Sequence, residues 1–209
     1  MEAYQKIQTM FMRDMDSKGR ILEGQWTLPE FEYLSKNIWI FTEKIDGSNI
    51  RVTYRAGKIA FAGKNDHSQI HSPLLESYLS EKFLPLLDKF QEIFTGDVCL
   101  YGEGYGSGIQ KGGGNYRKDQ SFVLFDIKVG DWWLRRSDLE NIAEKLAIDT
   151  VPIIGMGTLY DALAKAKLGF ESSWGRFEAE GLVAKPKIEL RSRNGERIIT
   201  KIKCRDFRA

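Results

Sequence analysis

The chain is poor in the residues that mark several common chemistries. Its 209 residues include two cysteines, Cys99 and Cys204, too few for a disulfide framework and too isolated for a zinc site. A reducing, cytoplasmic setting is expected. The two histidines, His67 and His71, have the i, i+4 spacing of a metal pair but no third ligand nearby, which favours a surface or helix-start role. Apolar runs such as Phe83 to Leu87 and Phe122 to Phe125 fall far short of the roughly 20 residues of a membrane span. Lys6, Arg13 and Asp14 interrupt any export signal near the amino terminus, so no membrane partner is expected. There is no Gly-x-x-x-x-Gly-Lys-[Ser/Thr] phosphate loop. Gly102 to Gly108 has glycine at every second position but no helix signal after it, unlike a dinucleotide fingerprint. No repeat, low-complexity tract or Pro/Ser-rich linker divides the chain; one domain over 1–209 and a monomer are expected.

What is present suits a globular protein: 42% hydrophobic and 29% charged residues, in a length that can bury a substantial core. The net charge of +2 says little, but from Gly181 to Ala209 nine basic residues stand against three acidic ones. Such a segment could line a phosphate-rich site, although charge alone favours a solvated strand pair with its cations outward.

The patterning predicts strands at 38–45 and 49–55 with Asp46-Gly47-Ser48 as the turn between them, and a further strand after Gly57 that completes a meander. Leu74 to Phe94 reads as one helix, broken or offset near Pro85. A strand at 97–103, a glycine-rich loop at 104–118 and a strand at 121–129 follow. The last turns at Gly130-Asp131 into a partner at Trp132. One of Trp132 and Trp133 is expected to pack. Ser137 is the expected N-cap of a helix to Leu146, with Glu140 in the capping-box position. A helix at 158–167 and two or three strands between Glu180 and Cys204 close the chain. Clustered strands argue for an α+β fold. KGGGNYRK, Lys111 to Lys118, fits a loop that touches a nucleic-acid strand and a solvated loop equally.

Chemistry enters at Glu43-Lys44-Ile45-Asp46-Gly47-Ser48-Asn49. A lysine ends an apolar strand just before a tight Asp-Gly turn, where glycine lets the backbone approach a ligand. A lysine nucleophile needs such a setting, because its amine attacks only once burial or a neighbouring cation releases the lone pair. Alone, Lys-x-Asp-Gly is a weak signal, and a strand-end lysine beside an ordinary turn explains it better. Four later segments add to it in a fixed order: Tyr101-Gly102-Glu103, Phe122 to Ile127, Glu180 to Lys185, and Lys201-Ile202-Lys203, whose two amines share one strand face.

These five segments resemble motifs I, III, IIIa, IV and V of the superfamily of ATP-dependent ligases and messenger-RNA capping enzymes. Gly108-Ile109-Gln110-Lys111, Lys185-Pro186 and Asn194-Gly195 add a resemblance to its phage-type RNA ligase 2 family. The resemblance implies a nucleotidyltransferase (ATP-grasp-like) ligase catalytic core, with antiparallel sheets and flanking helices. It implies that Lys44 attacks the α-phosphate of ATP and carries AMP. The AMP then passes to a 5′-phosphate end, and a 3′-hydroxyl displaces it. Glu103 would bind the ribose, Phe125 would stack on adenine, and Lys64 would be the basic residue of motif Ia. Glu43, Asp46, Gly47 and Asn49 would surround the nucleotide, and Glu180 would hold Mg²⁺, with Mn²⁺ as a substitute. Lys185, Lys201 and Lys203 would neutralise phosphate charge. Asn49 stands where many DNA ligases and capping enzymes carry arginine, and so points to the RNA ligase 2 branch; Asp46 follows the more general pattern. The chain stops six residues after Lys203, so an accessory carboxy-terminal domain is expected to be missing, with a partner protein as its replacement. RNA strand ends are the expected substrate. A small DNA ligase, a 5′-adenylating enzyme and an inactive nucleic-acid-binding module are the alternatives.

Overall fold

In a computed structural model, which describes residues 3–65 and 67–208, the chain forms two compact units. One comprises the segment ending at Tyr4 together with Asp46–Val151; the other comprises Gln5–Ile45 and the chain from Pro152 onward. In chain order the strands are β1 (Gln8–Thr9), β2 (Phe11–Asp14), β3 (Arg20–Trp26), β4 (Trp39–Glu43), β5 (Ser48–Arg55), β6 (Lys58–Ala62) and β7 (Val98–Gly106). They continue with β8 (Gln120–Val129), β9 (Trp132–Trp133), β10 (Asp149–Thr150), β11 (Ile153–Gly157), β12 (Gly181–Pro186) and β13 (Thr200–Lys203).

The unit built on Asp46–Val151 contains a sheet of order β10-β8-β7-β5-β6, with β9 paired to β8. Period-two alternation gives this sheet two different faces. Ile50, Val52, Val98, Leu100, Phe122, Leu124 and Ile127 point into a core with Leu74, Leu79, Phe83 and Phe90 of the helical stretch over 72–93 and with Leu139, Ile142 and Leu146 of the helix Arg136–Leu146. Burying one such side chain fully is worth roughly 1.5–3 kcal/mol, so this face anchors the sheet. The opposite face carries Asn49, Arg51, Tyr101 and Glu103. The helical stretch starts at Ser72, passes through a wider π turn over Leu75–Ser80 and tightens over Leu84–Leu86 at Pro85, where the missing N–H breaks the ladder.

The other unit holds a five-stranded sheet of order β1-β13-β12-β4-β11 and the two-stranded β2-β3. Trp39, Phe41, Leu182, Ala184 and Ile202 pack against Phe31 of the helix Pro29–Tyr33 and against Leu159, Ala162, Leu163 and Ala166. These last four follow helical spacing on Leu159–Leu168, which Thr158 and Asp161 cap reciprocally.

The α+β expectation holds, with three local corrections. The strands on either side of Asp46-Gly47-Ser48 are no hairpin: β4 and β5 belong to different sheets, and the meander begins at β5. The 104–118 loop is shorter, because β7 runs to Gly106 and Gly113–Tyr116 forms one helical turn. Ser137 is not an N-cap; the helix starts at Arg136, whose guanidinium bonds Glu140 at 2.7 Å and the Val151 carbonyl at 2.8 Å. Glu140 therefore serves an i, i+4 ion pair rather than a capping box.

Candidate active site

Strand alternation turns Lys44, Lys185, Lys201 and Lys203 to the sheet face away from the helices of their unit. Lys201 stands across from Val183 and Lys203 across from Gly181, while Lys185 lies beside Ile40 of β4. Lys44 follows β4 and extends its ladder, its N–H donating to the Gly181 carbonyl at 2.9 Å. Glu180 stands at the centre. Its Oε2 receives the Lys44 ammonium at 2.5 Å and its Oε1 the Lys203 ammonium at 2.7 Å. The three side chains are 10–22% exposed, where a charge pair is screened less than at an open surface. The residue after Glu180 has to be glycine. A Cβ on Gly181 (φ +152°) would lie 2.7 Å from Lys203 Cα and overlap the Ile202 carbonyl.

Glu43 is not part of this face. It points inward at 1% exposure, and its carboxylate accepts the Ser172 hydroxyl at 2.6 Å and the Ser173 N–H at 2.8 Å. A buried carboxylate needs such donors. Glu43 therefore holds the turn at Ser172 and Ser173, which corrects the expectation that it lines the nucleotide with Lys44. Cysteine does not compete as a nucleophile: burial pushes the Cys99 thiol up to about 11 and raises that of Cys204 as well, so both stay protonated at neutral pH.

In the other unit, Asn49 and Glu103 are direct cross-strand neighbours on the face opposite the helical stretch over 72–93 and the helix Arg136–Leu146. Among the described residues the Asn49 Oδ1 is buried with no hydrogen-bond partner, a costly arrangement. Between β7 and β8 the register shifts: Tyr101 faces Asp126 and Gly102 faces Leu124. Phe125 is the extra residue of a β-bulge, so Phe125 and Asp126 both turn to the Glu103 face instead of alternating. Phe125 is half-buried there. Gly47 has to be glycine because β7 passes close by; a Cβ would lie 2.8 Å from Glu103 Cγ and overlap the Gly104 carbonyl. Lys64 is exposed and follows Gly63, whose carbonyl accepts from Arg51 Nε at 2.9 Å.

Sequence reasoning missed the supports of this turn. The Tyr116 hydroxyl accepts the Asp46 N–H at 3.1 Å, and Gln110 Nε2 donates to the Gly47 carbonyl at 3.1 Å. The KGGGNYRK segment thus contributes Tyr116, 8% exposed, to the motif around Asp46. Its turn-like composition gave no signal of this. His71 meets Gln120 at 3.1 Å. Trp133 packs on Tyr101 while Trp132 is 79% exposed.

Residues 37–203 match the family model described as RNA ligase. Among solved structures, an apo mutant of Naegleria gruberi RNA ligase has a TM-score of 0.67 and 21% identity, covering 96% of this chain and 57% of that one. A mutant of the same ligase with ATP and Mn gives 0.65 and 23%, over 84% and 51%. Another with AMP and Mn gives 0.64 and 19%, over 94% and 56%. At these identities the likeness establishes the ligase core fold. The chain spans about half the length of those ligases. No curated protein matches the chain.

Proposed function

The chain belongs to the RNA ligase family, and from that premise we propose that it is an ATP-dependent ligase joining 3′-hydroxyl and 5′-phosphate ends of RNA through AMP carried on Lys44. The observation that carries this reading is the Glu180 carboxylate between the Lys44 and Lys203 ammonium groups, on a sheet face that also bears Lys185 and Lys201. A nucleophilic amine surrounded by cations suits attack on a polyphosphate, because the cations offset the charge that develops in transfer.

In the proposed reaction the Lys44 ammonium gives one proton to solvent, the neutral amine forms a bond to the α-phosphorus of ATP and sheds a second proton to solvent, and pyrophosphate leaves with the electrons of the broken P–O bond. AMP passes to a 5′-phosphate, and a 3′-hydroxyl then displaces it to leave a phosphodiester. Lys44 has to leave its contact with Glu180 to attack. Lys201, Lys203 and Lys185 would neutralise phosphate oxygens. Glu103 and Phe125 keep the ribose and purine roles that the resemblance implies, with Asn49 across from Glu103 on the same face. Asp46 and Gly47 form the turn, and Lys64 remains the basic residue of motif Ia by resemblance.

Mg²⁺ fits the donor set in one form. Among the described residues no group of three His, Cys, Asp or Glu side chains could hold a metal, but a single carboxylate between lysines suits an ion that arrives with nucleotide phosphates and keeps its waters. Glu180 is the residue that would hold it. When bound, the ion would neutralise phosphate charge.

The test is incubation with ATP and Mg²⁺ followed by mass spectrometry, then sealing assays on nicked RNA and nicked DNA duplexes. One added AMP on Lys44 and preferential sealing of RNA are expected. An undiminished adduct in Lys44→Ala would overturn the mechanism; preferential sealing of DNA would overturn the substrate.

A further inference from the structure

Phe125 can stack on a purine only if its ring is held at a fixed angle, and the strand does not provide this. As the extra residue of a bulge, it sits where the pleat is interrupted and side-chain direction is no longer set by alternation. The ring must be oriented by neighbours. Tyr4, 121 positions earlier in the chain and 8% exposed, is one of them. Its ring centroid lies 5.0 Å from that of Phe125 at an interplanar angle of 73°, the edge-type geometry that aromatic pairs prefer. Its hydroxyl donates to the carboxylate of Asp126, which is 3% exposed. Tyr4 itself is fixed by Tyr101 at 5.2 Å and Trp133 at 5.7 Å.

We propose that Tyr4 is a positioning residue for nucleotide recognition, holding both residues of the bulge at once: Phe125 through its ring and Asp126 through its hydroxyl. The inference rests on the reading of Phe125 as the purine-stacking residue. It deepens that reading by assigning nucleotide affinity to a residue outside all five motifs. A side chain that served only the core would affect stability without selectively changing the apparent affinity for ATP.

The experiment compares wild type, Tyr4→Leu and Tyr4→Phe in two assays: equilibrium binding of ATP, and the rate of AMP transfer to Lys44 against ATP concentration. Tyr4→Leu removes ring and hydroxyl and is expected to weaken ATP binding and raise KM about threefold to tenfold, with kcat at saturating ATP unchanged. Tyr4→Phe keeps the ring and loses the hydroxyl, and should raise KM by only about twofold, the share of the hydroxyl bond to Asp126. If Tyr4→Leu fails to fold by circular dichroism, Tyr4→Phe decides: a rise of about twofold in KM supports the inference, and no change overturns it. An unchanged KM in a folded Tyr4→Leu, or a fall in kcat alone, overturns the inference and leaves the ligase reading standing. Failure of the wild type to bind ATP overturns both. Binding without transfer to Lys44 overturns the ligase mechanism alone, and the binding assay still reads Tyr4.

Discussion

In the unit that carries β4, β12 and β13, charged groups meet at 2.5–2.7 Å around Glu180; in the unit that carries β5, β7 and β8, the sheet surface around Phe125 is a cluster of aromatic rings, Tyr4, Tyr101 and Trp133. The two surfaces obey different physics. Around Glu180 each group offsets the charge of its neighbours, so removing one leaves the others uncompensated. Around Phe125 the contacts are dispersion and edge-type ring packing, individually small and tolerant of loss. A reaction that moves phosphate charge calls for the first kind of surface, and recognition of a neutral, flat purine calls for the second. The contrast predicts large effects from charge removal on one side and graded effects from truncation on the other.

After the loss of Lys44 itself, the largest effect is expected from Glu180→Gln. The neutral amide keeps the shape but removes the carboxylate that would hold Mg²⁺ and that orients the Lys203 ammonium. AMP transfer should fall on the order of 10²-fold, the scale of losing one electrostatic contact in a transition state. Single-turnover rates with labelled ATP measure it; a variant within threefold of wild type would remove Glu180 from the mechanism. Phe125→Ala should cost about 1–3 kcal/mol of nucleotide binding, read as a rise in the KM for ATP at nearly constant kcat. A loss as large as that of Glu180→Gln, in kcat, would erase the distinction between the two faces.

Gly47→Ala tests the close approach at the turn. The added methyl would collide with the Gly104 carbonyl and with Glu103 Cγ, and overpacking of this kind costs about 1–3 kcal/mol. The expected result is a melting temperature lowered by a few degrees. Gly96→Ala is the control, since a Cβ there meets nothing within 4 Å. Equal melting temperatures for the two variants would mean that Gly47 is not under steric constraint.

The two surfaces were also unequally legible in the sequence. Lys201-Ile202-Lys203 announced its geometry, because a two-residue period has only one way to place two lysines on a strand. The helix Leu159–Leu168 was equally plain, with Leu159, Ala162, Leu163 and Ala166 at helical spacing behind Thr158. The bulge at Phe125 was not, since nothing local distinguishes an alternating strand from one with an extra residue; that depends on the register against β7. Nor was the sheet change between β4 and β5, where Asp46-Gly47-Ser48 has the composition of a hairpin turn. Glu43 was misread for a related reason. Its place beside Lys44 suggested a shared site, whereas neighbours on an extended chain point to opposite faces. Its partner, Ser172, lies 129 residues away.

The smallest effect concerns the basic end of the chain, where the structure sorts cations that composition treats alike. Arg197 pairs with Glu189, Lys203 with Glu180 and Arg208 with Glu178, whereas Lys187, Arg191 and Arg193 are exposed on the segment between β12 and β13. If this segment touches the RNA backbone, each contact releases counterions, and the slope of log affinity against log salt changes by roughly 0.7–0.9 per phosphate. Arg191→Ala combined with Arg193→Ala should weaken sealing a few-fold and flatten its salt dependence by between one and two. AMP transfer to Lys44 should change little, because the partly buried pairs at Glu180 are screened less than exposed arginines. One potassium chloride titration of both steps, in wild type and the double variant, separates the two contributions. Parallel loss of transfer and sealing in the wild type would mean that the nucleotide step is as exposed to salt as the strand step. The division between a charge-paired reaction face and an open strand-binding segment would then have to be given up.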